Sequence, residues 1–185
     1  IAVGTGSDSG NVDGTGSYRT YATGATVNSL AGLRMNSLQC RRSLNVYWKT
    51  AIYLNSVSDV RVFAGVTASS SAPASSSDPL NALEGVGLWL DSAVSANWKI
   101  GHNDSSGAGV YDDTTVTALT STLYPIEVYG VADTKFRLVA LGQSTDITAN
   151  IPASGTGLAF WIYIENTTGS DRTMRAYYAI IKNDK

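Results

Sequence analysis

Cysteine is almost absent: the 185 residues hold one, Cys40. A single thiol closes no disulfide within the chain and builds no cysteine-based metal site. Histidine is as scarce, with His102 alone. That excludes a zinc set of several His and Cys ligands. It leaves room for at most one histidine-based hydrolytic triad. Charge is thin, at 15% of residues against about 25% in ordinary domains. The net charge is −2 and the sequence pI about 5.2. Nucleic-acid binders usually carry a basic face and a domain pI above about 9, so nucleic acid is not an expected partner. The tightest basic group, Arg41-Arg42 with Arg34 and Lys49 nearby, reads as a solvated strand end or a subunit contact. No run approaches the ~20 apolar residues of a spanning helix, and no membrane partner is expected. The chain begins at Ile1, which reads as a processed terminus or the start of a fragment.

What the chain has instead is Gly, Ser, Thr, Ala and Asn with a hydrophobic share of 43%, a mixture that suits strands and turns. From Tyr18 onward the dominant period is two. Leu44, Val46, Trp48, Thr50, Ile52 and Leu54 form one face of a run, and Tyr47, Lys49, Ala51 and Tyr53 the other. The same alternation recurs in 60–66, 86–91, 98–102, 126–128, 136–140, 158–164 and 174–181, the signature of half-buried strands. Turn residues separate these runs: Asn55-Ser56, Asp104-Ser105-Ser106-Gly107, Gly142-Gln143-Ser144 and Thr168-Gly169-Ser170-Asp171. The low-complexity stretch 68–78, ASSSAPASSSD, is expected to be a surface loop. Helix signals are poor, with only Leu30, Leu33, Met35 and Leu38 hinting at a turn or two. The fold class is therefore all-β, a two-sheet antiparallel sandwich or jelly roll. Residues 1–17 are nearly all Gly, Ser, Asp, Asn and Thr. They are expected to be a flexible arm, since they carry too little apolar surface to offset their ordering entropy. Residues 18–185 are expected to form one sandwich domain.

The last two strands carry large apolar residues on both faces. Trp161 and Tyr163 alternate with Phe160 and Ile162, and Tyr177 and Ile181 with Tyr178 and Ile180. A sheet open to water should show one polar face. A cover is therefore expected, either a neighbouring subunit, or the arm or a long loop of the same chain. Trp161, Tyr163, Tyr177 and Ile181 are the candidate oligomer interface, and each such burial contributes roughly 1.5–3 kcal/mol. Trp89 and Trp98 are candidate ligand platforms, with core packing as the alternative.

Motifs of chemistry are few. His102 lies where a strand runs into a turn, and no Gly-x-Ser-x-Gly elbow exists. Glu127 and Glu165 sit in or beside strands and could converge as a glycosidase pair only if they share a cleft. No cofactor is expected. An all-oxygen calcium site built from Asp91, Asp104, Asp112 and Asp113 stays open, although no EF-hand spacing is present. Asn103-Asp104-Ser105 and Asn166-Thr167-Thr168 match the glycosylation sequon.

Residues 60–113 carry a more particular pattern. Arg61-Val62-Phe63-Ala64-Gly65 leads into the Ser/Ala-rich loop, then Val86 to Asp91, Trp98-Lys99, Asp104 to Gly107, and Asp112-Asp113-Thr114. YPIEVYG, KFRLVALG and IPASGTGLAFWIYIEN follow as later strands. This succession resembles concanavalin-like or jelly-roll domains of tailed-phage fibre and virion structural proteins. The resemblance implies a non-catalytic virion protein, a capsid decoration or fibre-type domain at the virion surface or outside the cell. It also implies a homo-oligomer, a trimer for preference, in contact with other virion proteins. It brings no catalytic residue with it. Two alternatives remain open: a lectin-like module binding surface glycans, and an extracellular filament subunit whose arm is donated as a strand.

Overall fold

The computed structural model describes residues 2–4, 7–13, 16–71, 77–131 and 133–183. Among these, two seven-stranded sheets form, each antiparallel throughout. The first runs, edge to edge, β1 (Ala2–Gly4), β4 (Leu30–Arg34), β13 (Ala159–Asn166), β6 (Val60–Thr67), β7 (Gly85–Asp91), β8 (Asn97–Asn103) and β9 (Val110–Thr117). The second runs β12 (Gln143–Ile147), β11 (Lys135–Ala140), β10 (Leu123–Val131), β5 (Tyr47–Leu54), β14 (Thr173–Lys182), β3 (Gly16–Ala22) and β2 (Ser7–Asp13).

Strand parity decides what lies between the sheets. From the first sheet come Val60, Val62, Ala64, Val66, Val86, Leu88, Leu90, Trp98, Ile162 and Ile164. From the second come Trp48, Ile52, Leu54, Ile126, Val128, Phe136, Leu138 and Met174, and together they form one buried cluster. Side chains alternate across a strand, so the even-numbered faces of β5, β6 and β7 all point inward. Trp48 lies over Phe160 at 6.2 Å between ring centroids, and Trp98 meets Tyr124 edge-on at 5.1 Å. Cys40 is buried in this core, and burial pushes its thiol up to about 11.

Three segments differ from the sequence reading. The Leu30–Leu38 stretch holds no helix. Leu30–Arg34 is a strand, and Gly32 lets it press against β13, where an added Cβ would stand 2.1 Å from the Ile162 carbonyl oxygen. The only helical turn among the described residues is a 3₁₀ turn at Arg42–Leu44, which leaves Leu44 exposed instead of inward. The segment read as an arm contributes backbone to both sheets, through β1, β2 and the first residues of β3.

Candidate functional site

The outer face of the first sheet is closed by the chain itself. Register aligns Tyr163 with Phe63 and Phe63 with Trp89. The ring of Tyr111 stacks on Trp89 at 4.3 Å and that of Tyr163 on Phe63 at 6.0 Å. Gly65 and Gly87 pair directly, and an added Cβ at either would come within 2.9 Å of Phe63 Cζ, so the Phe63 ring lies flat across them. Leu80 and Leu83 cover the patch. The covering segment is stapled down by polar contacts. The Tyr111 hydroxyl donates to Asp78 Oδ1 at 2.6 Å, Asn103 Nδ2 donates to the Leu80 carbonyl at 2.6 Å, and the Ala82 amide donates to the Gly107 carbonyl at 2.6 Å. Burial, then the bond to Asp78, raises the Tyr111 phenol. Beside the patch Arg61 bridges Asp91 and Glu165, both at 2.8 Å.

The outer face of the second sheet is open, and tyrosines line it in two groups. In the first, Arg175 lies between the rings of Tyr18 and Tyr53, at 4.7 and 4.9 Å from their centroids, and hydrogen-bonds Tyr177. Tyr18 and Tyr177 pack at 5.2 Å. In the second, Tyr47 and Tyr129 pack at 4.8 Å, the Tyr129 hydroxyl donates to Glu127, and Lys49 Nζ sits 2.7 Å from Glu127 Oε1. Those two donors hold the Glu127 carboxyl below its ordinary range. The bond to Glu127 raises the Tyr129 phenol. Past Tyr129 lies a shallow pocket of about 390 Å³ lined by Tyr129, Val131, Arg137, Val139 and Ser144.

A β-bulge in β14, between Ala176 and Ala179, reshapes this face. Before it, Met174 and Ala176 point inward; after it, Ile181 takes the inward place opposite Trp48. Tyr178, Ala179 and Ile180 are left exposed. The buried Thr50 hydroxyl donates to the Tyr178 carbonyl and satisfies one group that the bulge takes out of the ladder.

The residues singled out from sequence fall as follows. Trp161 and Tyr163 are buried within the single chain, in the cluster under Leu80. Their cover is intramolecular. Tyr177 lies half-buried on the open face, and Ile181 packs against the main core. Trp98 is fully buried between the sheets and Trp89 is 4% exposed, so neither offers a ring to a ligand from solvent. Parity sends Trp98 inward, and the 77–84 segment roofs Trp89. Glu127 and Glu165 stand on different sheets and do not share a cleft. His102 is buried, its Nδ1 3.2 Å from the Asn150 carbonyl and its Nε2 3.1 Å from Asp112.

The four aspartates are already engaged. Asp91 binds Arg61, Asp104 accepts from the Ser106 amide, Asp112 faces His102, and Asp113 accepts from Asn97. Among the described residues no three His, Cys, Asp or Glu side chains assemble into a metal-holding group, and no helix is long and apolar enough to cross a membrane. Both sequons lie on buried asparagines: Asn103 is held as above, and Asn166 donates to Thr23, Gly24 and Ser29.

No family model matches the chain, and no curated protein matches it. Solved structures do. An alginate lyase, A1-II′ of polysaccharide lyase family 7, superposes with a TM-score of 0.57 at 13% identity, covering 95% of this chain and 83% of its own. The fold is a concanavalin-like jelly roll. The carbohydrate recognition domain of Emp47p superposes with a TM-score of 0.61 at 10% identity, covering 98% and 89%. A carbohydrate esterase of the Shiga toxin-encoding bacteriophage phi24B gives 0.61 at 11%, covering 100% and 90%. At these identities the likeness shows architecture. It also corrects the expectation of a non-catalytic protein, since solved structures of the same architecture include a lyase and an esterase. The scarcity of histidine and cysteine excludes only chemistry that needs several of them.

Proposed function

We propose that this chain is a lectin-like, carbohydrate-binding sandwich whose binding surface is the open face of the second sheet. One observation carries the reading. Tyr18, Tyr47, Tyr53, Tyr129 and Tyr177 are gathered on that face from four strands, half-exposed and interleaved with Arg175, Lys49 and Glu127. Sugars offer apolar C–H faces to aromatic rings and hydroxyls to flanking charged groups. A tyrosine with an apolar body and a polar tip serves both needs. Few precisely placed polar groups on a mostly apolar floor is the usual composition of such sites. The carbohydrate-acting and carbohydrate-recognising proteins of the same architecture support this reading.

The test is a glycan array followed by calorimetry on the hits, with Tyr53→Ala and Tyr129→Ala as variants. Each is expected to weaken binding about tenfold, or about 1.4 kcal/mol, with the thermal melt otherwise intact. The same incubations, read for released product, report turnover. A protein that binds no glycan on a broad array would overturn the reading.

A second reading is a virion structural domain, of decoration or fibre type, working as a trimer at the particle surface. It is favoured by the succession of motifs over residues 60–113 and by the fully covering likeness to a phage-encoded protein. Sedimentation showing a stable trimer with no glycan affinity would favour it over the first.

A further inference from the structure

The pocket beyond Tyr129 has a chemistry of its own. Its lining combines the Tyr129 side chain and two apolar ones, Val131 and Val139, with two polar ones, Ser144 and Arg137. Arg137 reaches Asp146 through Nε at 2.7 Å and through a second guanidinium nitrogen at 3.1 Å. Lys135 reaches the same carboxylate at 2.5 Å. Two cations therefore share one anion, and the Arg137–Lys135–Asp146 group beside the pocket carries a net positive charge. The bonds from Arg137 and Lys135 hold the Asp146 carboxyl far below its ordinary range, so it counts as one negative charge against their two positive ones at neutral pH. Nearby, Glu127 is already spent on Lys49 and Tyr129. This local surplus stands on a chain whose overall charge is −2.

From this we propose that the pocket is a subsite for an anionic sugar, its carboxylate or sulfate group set against Arg137 and its ring laid on Tyr129. The proposal rests on the glycan-binding reading and narrows it to an acidic class. Arginine suits the task because its guanidinium carries five N–H donors, more than the two bonds to Asp146 use, and each donor left makes a charge-assisted bond to a carboxylate or sulfate. Ser144, directly across from Val139 in the β11–β12 pairing, stands where a ring hydroxyl would meet it. The volume lies near the lower end of the roughly 300–1,000 Å³ of ligand pockets, which fits a short stretch of sugar.

The experiment is calorimetry of the whole chain against tetrasaccharides of glucuronate, galacturonate and mannuronate. Each is paired with its methyl-esterified neutral counterpart, and a sulfated galactan tetrasaccharide forms a separate arm. At low salt at least one anionic ligand is expected to bind about tenfold tighter than its neutral counterpart, and the advantage should shrink as salt screens it. Arg137→Gln should erase that preference, bringing the anionic ligand's affinity down to that of its neutral counterpart; Arg137→Lys should restore part of it. Circular dichroism confirms that the variants fold. Preference for uronates or for the sulfated sugar identifies the anion. Equal binding of anionic and neutral ligands overturns this inference and leaves the glycan-binding reading standing. A preference that survives Arg137→Gln overturns the assignment to this pocket. Binding of none of them, together with an empty glycan array, overturns both.

Discussion

Arg61 holds two buried carboxylates together, and removing it should be among the most damaging single changes available. Asp91 is 2% exposed and Glu165 3%. Each takes one 2.8 Å contact from the guanidinium, and Asp91 also accepts from the Ala93 amide at 3.0 Å. In Arg61→Ala both carboxylates remain buried, with no cation to offset their desolvation. Removing one partner of a buried pair typically costs about 3–5 kcal/mol. For a chain of this length 1 kcal/mol moves Tm by about 2–4 °C, so the expected fall is roughly 6–20 °C. Arg61→Lys should lose less but still measurably, because an ammonium cannot span both acids with a rigid fork. The triple replacement Arg61→Met, Asp91→Leu, Glu165→Leu should recover most of the loss, since an apolar substitute for a buried ion set is often neutral. Thermal melts followed by circular dichroism at pH 7 decide it. A fall below about 3 °C in Arg61→Ala would refute the view that these acids depend on Arg61.

Gly87→Ala should destabilise by about 1–3 kcal/mol, since the new Cβ would stand 2.8 Å from Phe63 Cζ, the Gly65 Cα and the Ala64 carbonyl oxygen; urea unfolding measures it. Trp161→Phe should cost about 1–3 kcal/mol, from lost burial and the cavity left behind, with no hydrogen-bond loss on top, because the Trp161 indole N–H has no hydrogen-bond partner among the described residues; the same unfolding curves check it. Acid should weaken the fold: Glu127 and Asp146 both have depressed folded-state pKa values. Their contribution is present above the unfolded values near pH 4 and is lost as pH falls through the folded ones. Asp146→Asn should flatten that acid limb in a stability-against-pH series. Cys40, buried with its thiol raised to about 11, should resist a thiol reagent at pH 8 in the native state and react fully in denaturant.

How much was legible follows from where each residue lies in its sheet. Central strands announce themselves, because one face must be mostly apolar: Val60, Val62, Ala64 and Val66 keep theirs throughout, and Trp48, Ile52 and Leu54 break theirs only at Thr50. Edge strands carry no such demand. Val110–Thr117, of which only Asp112-Asp113-Thr114 stood out in sequence, and Gln143–Ile147, whose first two residues belong to the turn signal Gly142-Gln143-Ser144, are polar edges whose pairing only the sheet reveals. The double apolar face of β13 was visible as a surface needing a cover. That Leu80 and Leu83 supply the cover was not, because a loop's landing place depends on long-range bonds such as Tyr111 to Asp78. Tyr47 and Tyr53 were readable as one outward face, but their meeting with Tyr18, Tyr129 and Arg175 requires strand order, which no local pattern encodes.

Strand β9 has a bearing on self-association. It closes one side of the first sheet with Asp112, Asp113 and three threonines, its pairing with β8 slips near Asn97, and Thr115 adopts a left-handed φ of 60°. A rim so charged and irregular is a poor template for a foreign backbone. Copies of this molecule would thus be steered away from zippering side by side through that rim, leaving loops and broad surfaces as the places where one copy could rest on another.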